Sequence, residues 1–260
     1  MKDRVPDLSK ARVLISNDDG INAPGIKALE RVLKRIASEV WVVAPEHEQS
    51  AAGHSLTLRS PLRILKKSTR KYSVTGTPTD AVMLAVHEVM KNSPPDLVVS
   101  GINRGGNLGE DVTYSGTVAA AMEGTLLNYP SIAFSLVTPD DAKAHWKTAE
   151  HYVEEVLKNL NGVAFPRGVL LNVNIPDCPV EDVTGIETTK QGRRKIGCEL
   201  LKGNDPKGKP YFWIGAQRDE DKTLTGTDLE SISRKAVSVT PLGLDLTHKG
   251  MMKTLKGALS

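Results

Sequence analysis

Two cysteines in 260 residues, Cys178 and Cys198, are too few to staple a chain of this size. A reducing compartment is therefore the expectation, and no Cys-x-x-Cys pair suggests metal or redox work. The two thiols could meet across a hairpin, but sequence sets no geometry for that. Aromatic residues are also scarce, with three Trp, five Tyr and three Phe. That balance suits buried parallel strands flanked by helices, and it leaves no basic stripe interleaved with aromatics of the kind nucleic acid needs. No charge of one sign dominates, since 34 basic residues face 31 acidic ones for a net charge of +3. Basic residues gather from Lys190 to Lys195 and from Lys202 to Lys209, where a mild pull on anions or a solvated loop is expected. No run approaches the length of a membrane span, and Met1 to Lys10 is polar, with Pro6 where a signal core would be apolar. A cytoplasmic protein with neither nucleic-acid nor membrane partners is expected.

The first 137 residues alternate short apolar runs with amphipathic segments, the pattern of βα units building a parallel sheet. Strands are predicted at Val13–Ser16, Val40–Ala44, Asp96–Ser100 and Ser131–Val137. Pro24 and Gly25 open a helix with Ile26, Leu29, Leu33 and Ile36 on its apolar face, and Pro78 opens another running through Val89. Ser55–Leu58, Leu62–Leu65 and Tyr72–Val74 are too short and alternating for buried parallel strands and suggest an antiparallel excursion. A helix over Ala142–Asn161 and a strand Val169–Asn174 follow. Residues 178–226 change character: they are rich in Gly, Lys, Asp and Thr and hold the cluster Tyr211-Phe212-Trp213, which points to a protruding hairpin that packs on another subunit. A short strand Ala236–Thr240 and a frayed helix after Thr247 close the chain. The expectation is an α/β fold, a three-layer Rossmann-like, mostly parallel sheet with helices on both faces. One domain spans 1–260, with a core at about 11–140 and an arm at about 178–226.

The densest chemistry lies at strand ends. Asp18 and Asp19 follow the buried run Val13 to Ser16, at the edge where open parallel sheets bind ligands. Adjacent carboxylates repel unless a cation or donors compensate, and hard oxygen ligands favour Mg²⁺, Mn²⁺ or Ca²⁺; Asp-Asp-Gly alone also fits a solvated turn. The second strand leads to a loop containing His47, Ser50 and His54, where Ser50 could ligate a metal or cap a turn and either histidine could move a proton. The run Ser100 to Asp111 carries four glycines with Asn103 and Asn107, and could turn backbone N–H groups toward a ligand. It matches neither a P-loop nor a dinucleotide fingerprint, and no helix is expected at its last glycine. Ser115 and Thr117 open a helix of small residues, a fit for phosphate or for simple capping. Thr79 and Asp80 after Gly76-Thr77-Pro78 read as a capped helix start walling the cavity.

Taken together, Ser16 to Gly20 with Ala23-Pro24-Gly25, Val43-Ala44-Pro45 leading to Ser50, Gly76 to Asp80, Ser100 to Gly124, Asn172 to Pro176 and Val239 to Leu246 resemble the SurE survival-protein family over nearly the whole chain. The resemblance implies hydrolysis of nucleoside 5'(3')-monophosphates, and in some members of short polyphosphate. It implies one divalent ion per subunit, Mg²⁺ or Mn²⁺, on Asp18, Asp19, Ser50 and Asn103, with Asp18 and Asp19 as the catalytic pair. Phosphate contacts fall on Asn107, Ser115 and Thr117, and the assembly is a homodimer or homotetramer with exchanged C-terminal arms. Two departures from relatives stand out: Glu46-His47-Glu48-Gln49 replaces a more basic segment, and Arg104 stands where a small residue is frequent. The rival reading is a nucleotide-binding regulatory protein without turnover.

Overall fold

The computed structural model describes residues 4–139, 142–196, 200–214, 218–221 and 223–259. Its centre is β1 (Arg12–Ser16), in which only Arg12 is not buried. Helix α1 (Pro24–Ile36) follows, opened by Pro24, whose missing N–H costs nothing at a helix start. Next come β2 (Glu39–Pro45), then β3 (Ile64–Ser68) and β4 (Lys71–Val74). Helix α2 (Pro78–Leu84) has Thr77 and Asp80 in a reciprocal capping box and runs on into a π-helical turn, Ala85–Val89. Strand β5 (Leu97–Arg104) reaches the 3₁₀ turn Gly109–Thr113, α3 (Gly116–Leu126) and β6 (Ser131–Val137). Helix α4 (Trp146–Asn159) and β7 (Val169–Pro176) complete the βα series.

The remaining elements are β8 (Ile186–Thr188), β9 (Arg194–Ile196), β10 (Leu200–Asn204), β11 (Pro210–Ile214), β12 (Arg218–Glu220), α5 (Asp228–Ser233), β13 (Val237–Gly243) and α6 (Lys249–Leu259). Nine strands form one sheet in the order β3-β4-β2-β1-β5-β6-β7-β13-β8. The pairs joining β4 through β7 are parallel, whereas β3 with β4 and β13 with β7 are antiparallel. Helices α1 and α4 pack together on one face, and α2 and α3 on the other. Three apolar clusters follow from this: one lies under α1 and α4 and includes Leu29, Phe134 and Val153, one lies under α2 and includes Leu14 and Val82, and a smaller one includes Val118 of α3, Ala133 and Leu170. The three-layer expectation holds.

Several boundaries differ from the sequence reading. Strand β5 does not stop at Ser100 but continues to Arg104, with Gly101 at φ +116 and a cis Gly101–Ile102 peptide where its register with β6 shifts. A Cβ at Gly101 would stand 2.2 Å from the Phe134 carbonyl oxygen, so only glycine passes there. A 3₁₀ turn does begin at Gly109, contrary to the expectation of no helical start. Ser55–Leu58 forms no strand, and the antiparallel excursion is the β3/β4 hairpin, whose β4 joins the main sheet beside β2. Within residues 178–226, β8 pairs with β13 at the sheet edge, and β9/β12 and β10/β11 form two separate two-stranded ribbons. Cys178 is a buried free thiol, while Cys198 and any pairing with it lie outside the described residues. Among the described residues no helix is long and apolar enough to cross a membrane.

Candidate functional site

From β1 the chain builds outward through β2 and β4 on one side and then returns to place β5 on the other, so the strand order reverses between β1 and β5. Loops leaving adjacent strands there diverge and open a crevice at the carboxyl edge. The structure has a cleft of about 880 Å³ at that place. Asp18, Asp19, Ser50, Asn103, Asn107 and Ser115 all line it. Thr117 stands behind them, fully buried, and its hydroxyl donates to Asp18 Oδ1.

Asp18 is held from three directions. The N–H of Gln49 donates to its carbonyl at 2.8 Å, Thr117 takes its carboxylate, and Gly116 lets α3 press against it. A Cβ on Gly116 would lie 2.7 Å from Asp18 Cβ, so the helix start can approach this closely only with glycine there. Gly20, at φ +94, turns the chain back under His47 after the aspartates. Burial pushes the Asp18 carboxyl above its ordinary value, against the pull of the Thr117 hydrogen bond. Asp19 is raised to about 7, first by burial and then by the charges of Asp18 and Glu48, with Arg104 opposing.

Burial is the largest cause of both shifts, and the mutual repulsion of Asp18, Asp19 and Glu48 adds to it. The donor set is all oxygen: two carboxylates, the Ser50 hydroxyl and the Asn103 amide. Immediately below, Ser16 Oγ, Asn17 Oδ1 and Ser100 Oγ are buried without a hydrogen-bond partner. Hard oxygen donors and excess negative charge fit a divalent ion of the Mg²⁺ or Mn²⁺ type. Among the described residues no three His, Cys, Asp or Glu side chains form a ready cage, so a metal here would depend on neutral oxygens beside the aspartates.

The other expected residues are each engaged. Ser50 donates to Glu48 at 2.7 Å, and the Asn103 side-chain N–H donates to the Gly105 carbonyl at 2.9 Å, which leaves its oxygen as the acceptor end. Ser115 Oγ accepts the Val118 N–H at 3.0 Å and keeps its own O–H to donate. Both readings of this serine therefore coexist, as cap and as potential anion donor. Asn107 donates to Ser135 Oγ at 2.8 Å, while Asn172 and Asn174 donate to its carbonyl and Asn174 Oδ1 accepts its N–H. Of the two histidines, His54 reaches Glu123 at 3.1 Å on the α3 side, and His47 is exposed on the loop.

Sequence reading missed a buried clamp. Asp228, fully buried at the start of α5, accepts the N–H groups of Gly109, Gly192 and Leu229 at 2.8–2.9 Å. Arg194, from the basic run, donates to Asp111 from Nε at 3.0 Å and from Nη2 at 2.5 Å. The arm root is thereby tied to the turn that delivers Ser115. No local signal exposes this, because the partners lie 83 to 119 residues apart.

Comparison with known proteins agrees with this geometry. The family model described as survival protein SurE matches residues 13–197. A "5'-nucleotidase SurE" of Paramagnetospirillum magneticum is 59% identical over 254 residues, 98% of each chain, and one of Rhodospirillum rubrum is 53% identical over 97% of each. The crystal structure of the SurE protein from Aquifex aeolicus superposes with a TM-score of 0.84 at 42% identity, covering 96% of this chain and 100% of that one. A sheet with its switch point at Asp18 and Asn103, a family match across every strand from β1 to β9 and relatives aligned nearly end to end lead to one conclusion: the chain belongs to the SurE survival-protein family.

Proposed function

We propose that this protein is a cytoplasmic, divalent-metal-dependent phosphomonoesterase that hydrolyses nucleoside 5'- and 3'-monophosphates to nucleoside and phosphate, with short polyphosphate as a further substrate. The observation that carries the reading is the contact between Asp18 and the start of α3, which sets one buried carboxylate, with the half-buried Asp19 next to it in the chain, against a helix N-terminus in a cleft sized for a nucleotide. Two relatives sharing more than half of the sequence bear the name 5'-nucleotidase.

Asp18, Asp19, Ser50 and Asn103 would hold one Mg²⁺ or Mn²⁺. When bound, such an ion supplies charge neutralisation for the phosphoryl oxygens and lowers the pKa of water. The chain's own residues do the rest. The positive end of α3 and the Ser115 hydroxyl, which keeps its O–H to donate, would favour the charge that builds on the equatorial oxygens of a phosphate bound there. Asn107, fixed by Ser135, Asn172 and Asn174, would offer its remaining amide hydrogen-bonding capacity from the cleft lining. Thr117 locks the Asp18 rotamer, so the carboxylate pair needs no reorganisation when substrate enters. Water attacks phosphorus in line, and the ester oxygen leaves with the nucleoside.

Homo-oligomerisation, as a dimer or tetramer with exchanged C-terminal arms, is part of the same proposal. Tyr211, Phe212, Trp213 and Ile214 are 45–72% exposed on β11. An apolar surface of this kind is characteristic of an interface.

The test is phosphate release from AMP, GMP and 3'-AMP with Mn²⁺, with Mg²⁺ and with chelator, alongside Asp18→Asn. Metal-dependent release should fall by about 10²–10³-fold or more in the folded variant. Full activity in Asp18→Asn would remove the carboxylate pair from the chemistry.

A further inference from the structure

The cleft is much larger than a phosphate group. Its volume of about 880 Å³ is near the top of the range for sites that enclose whole small molecules, about 300–1,000 Å³. The phosphate-directed groups occupy one side, where Asp18 meets Gly116 and Thr117. The other side is built by the α1/α4 layer, with Ala23, Pro24, Pro139 and Trp146 in the wall.

We propose that Trp146 is the platform on which the nucleobase stacks, and that this contact sets the preference for nucleotides over base-free phosphoesters. The inference rests on the nucleotidase reading and adds to it a residue for the part of the substrate that does not react.

Trp146 is the first residue of α4, with its ring packed partly against the core and partly open to the cleft. Its backbone is fixed on both sides. The His145 N–H donates to Asp177 Oδ1 at 2.7 Å, with His145 Nδ1 2.8 Å from the same oxygen, and Thr148 donates to the Cys178 carbonyl at 2.6 Å. Arg104 at the end of β5 donates to the Ala142 carbonyl at 2.9 Å and draws the preceding loop onto the sheet edge. Gly25 makes room for the ring: a Cβ there would lie 3.2 Å from Trp146 Cη2 and 1.8 Å from the Ile102 carbonyl oxygen. The indole thus lies beside the start of α1 and against the core, a flat apolar surface in the cleft wall. Every base presents a π face, so such a surface binds all nucleosides with modest selectivity among them.

Two other aromatics are less suited. Tyr114 lines the cleft, but it adjoins Ser115, on the side assigned to phosphate. Trp213 stands on the arm, where its side chain is 68% exposed.

The experiment compares kcat/KM for AMP with that for ribose 5-phosphate in the unsubstituted protein and in Trp146→Leu, Trp146→Phe and Tyr114→Leu. Leucine keeps apolar bulk without a π face, so the AMP to ribose 5-phosphate ratio should fall about ten-fold in Trp146→Leu, mostly through KM, and recover largely in Trp146→Phe. An unchanged ratio in Trp146→Leu, or a fall in Tyr114→Leu alone, overturns the assignment. Failure of the nucleotidase reading shows differently, as no release from either substrate by the unsubstituted protein. Stacking is then read by fluorescence in a Trp41→Phe/Trp213→Phe chain, where Trp146 is the remaining indole. Quenching by AMP but not by ribose 5-phosphate supports the platform, and no quenching by AMP rejects it.

Discussion

Strands β5 and β11 are both apolar, yet they meet opposite fates. In β5 every residue from Leu97 to Ile102 is buried, whereas in β11 all five residues from Pro210 to Ile214 are exposed. The difference is one of position. Strand β5 lies between β1 and β6 with helices on both faces of the sheet, and β11 has only β10 beside it in a two-stranded ribbon. Hydrophobicity states that a surface needs covering, and topology decides whether the same chain supplies the cover. Helix α6 repeats the lesson, since none of its residues is buried although Met251, Met252, Leu255 and Leu259 are apolar. The body of the sheet completes its own core, and the arm and terminal helix leave theirs open.

The contrast breaks most sharply if the arm is made polar. Phe212→Asp with Trp213→Asp removes two large apolar side chains, each worth about 1.5–3 kcal/mol when buried. The dissociation constant of the proposed homo-oligomer, followed by analytical ultracentrifugation, should rise by about 10²-fold or more. Phosphate release per chain should persist; loss of both together would mean that the arm builds the site rather than the assembly.

Asp228 sharpens the comparison, because it joins the open region to the closed one. Asp228→Ala leaves the Gly109, Gly192 and Leu229 N–H groups without their acceptor in a buried place. A cost of about 2–4 kcal/mol is expected from unsatisfied buried donors. Denaturant unfolding measures it, and a change under 0.5 kcal/mol, roughly that of an ordinary surface substitution, would show that the arm root and the phosphate-side turn are not coupled.

The smallest effect concerns the carboxylate pair itself. The ordinary Asp19 value is 3.8 and the folded one about 7, so between these values the folded state holds a proton that the unfolded state has released. Without added metal, stability from this group therefore declines as pH rises from about 4 to 7 and stays at its lower level above 7. Asp19→Asn should raise the Tm of the chelated protein at pH 8 and change it little at pH 4. An equal shift at both pH values would assign the gain to something other than charge.

Much of the fold was legible because its physics is local. The run from Val13 to Ser16, the Pro24 and Pro78 helix starts and the alternation of βα units each carry their own signal in adjacent residues. The lining of the cleft was legible for a related reason: Asp18, Asp19 and Asn103 sit at or just past strand ends and Ser115 at a helix start, and strand ends in a parallel sheet converge on one edge. The prolongation of β5 beyond Ser100 was not visible, since Gly101 reads as a loop residue until Phe134 is known to lie 2.2 Å from where its Cβ would be. The Asp228 clamp and the Trp146 wall were hidden for want of any sequence proximity to the site they complete.

By itself the sequence determined the layered α/β architecture and the strand edge at which Asp18, Asp19 and Asn103 gather, because periodicity and residue chemistry act over a few neighbours. Only the tertiary structure decided that Thr117 grips Asp18, that Asn172 and Asn174 brace Asn107 and that Trp146 walls the cleft. Those contacts join residues far apart in the chain, and their existence depends on the sheet order that brings β1, β5, β6 and β7 side by side.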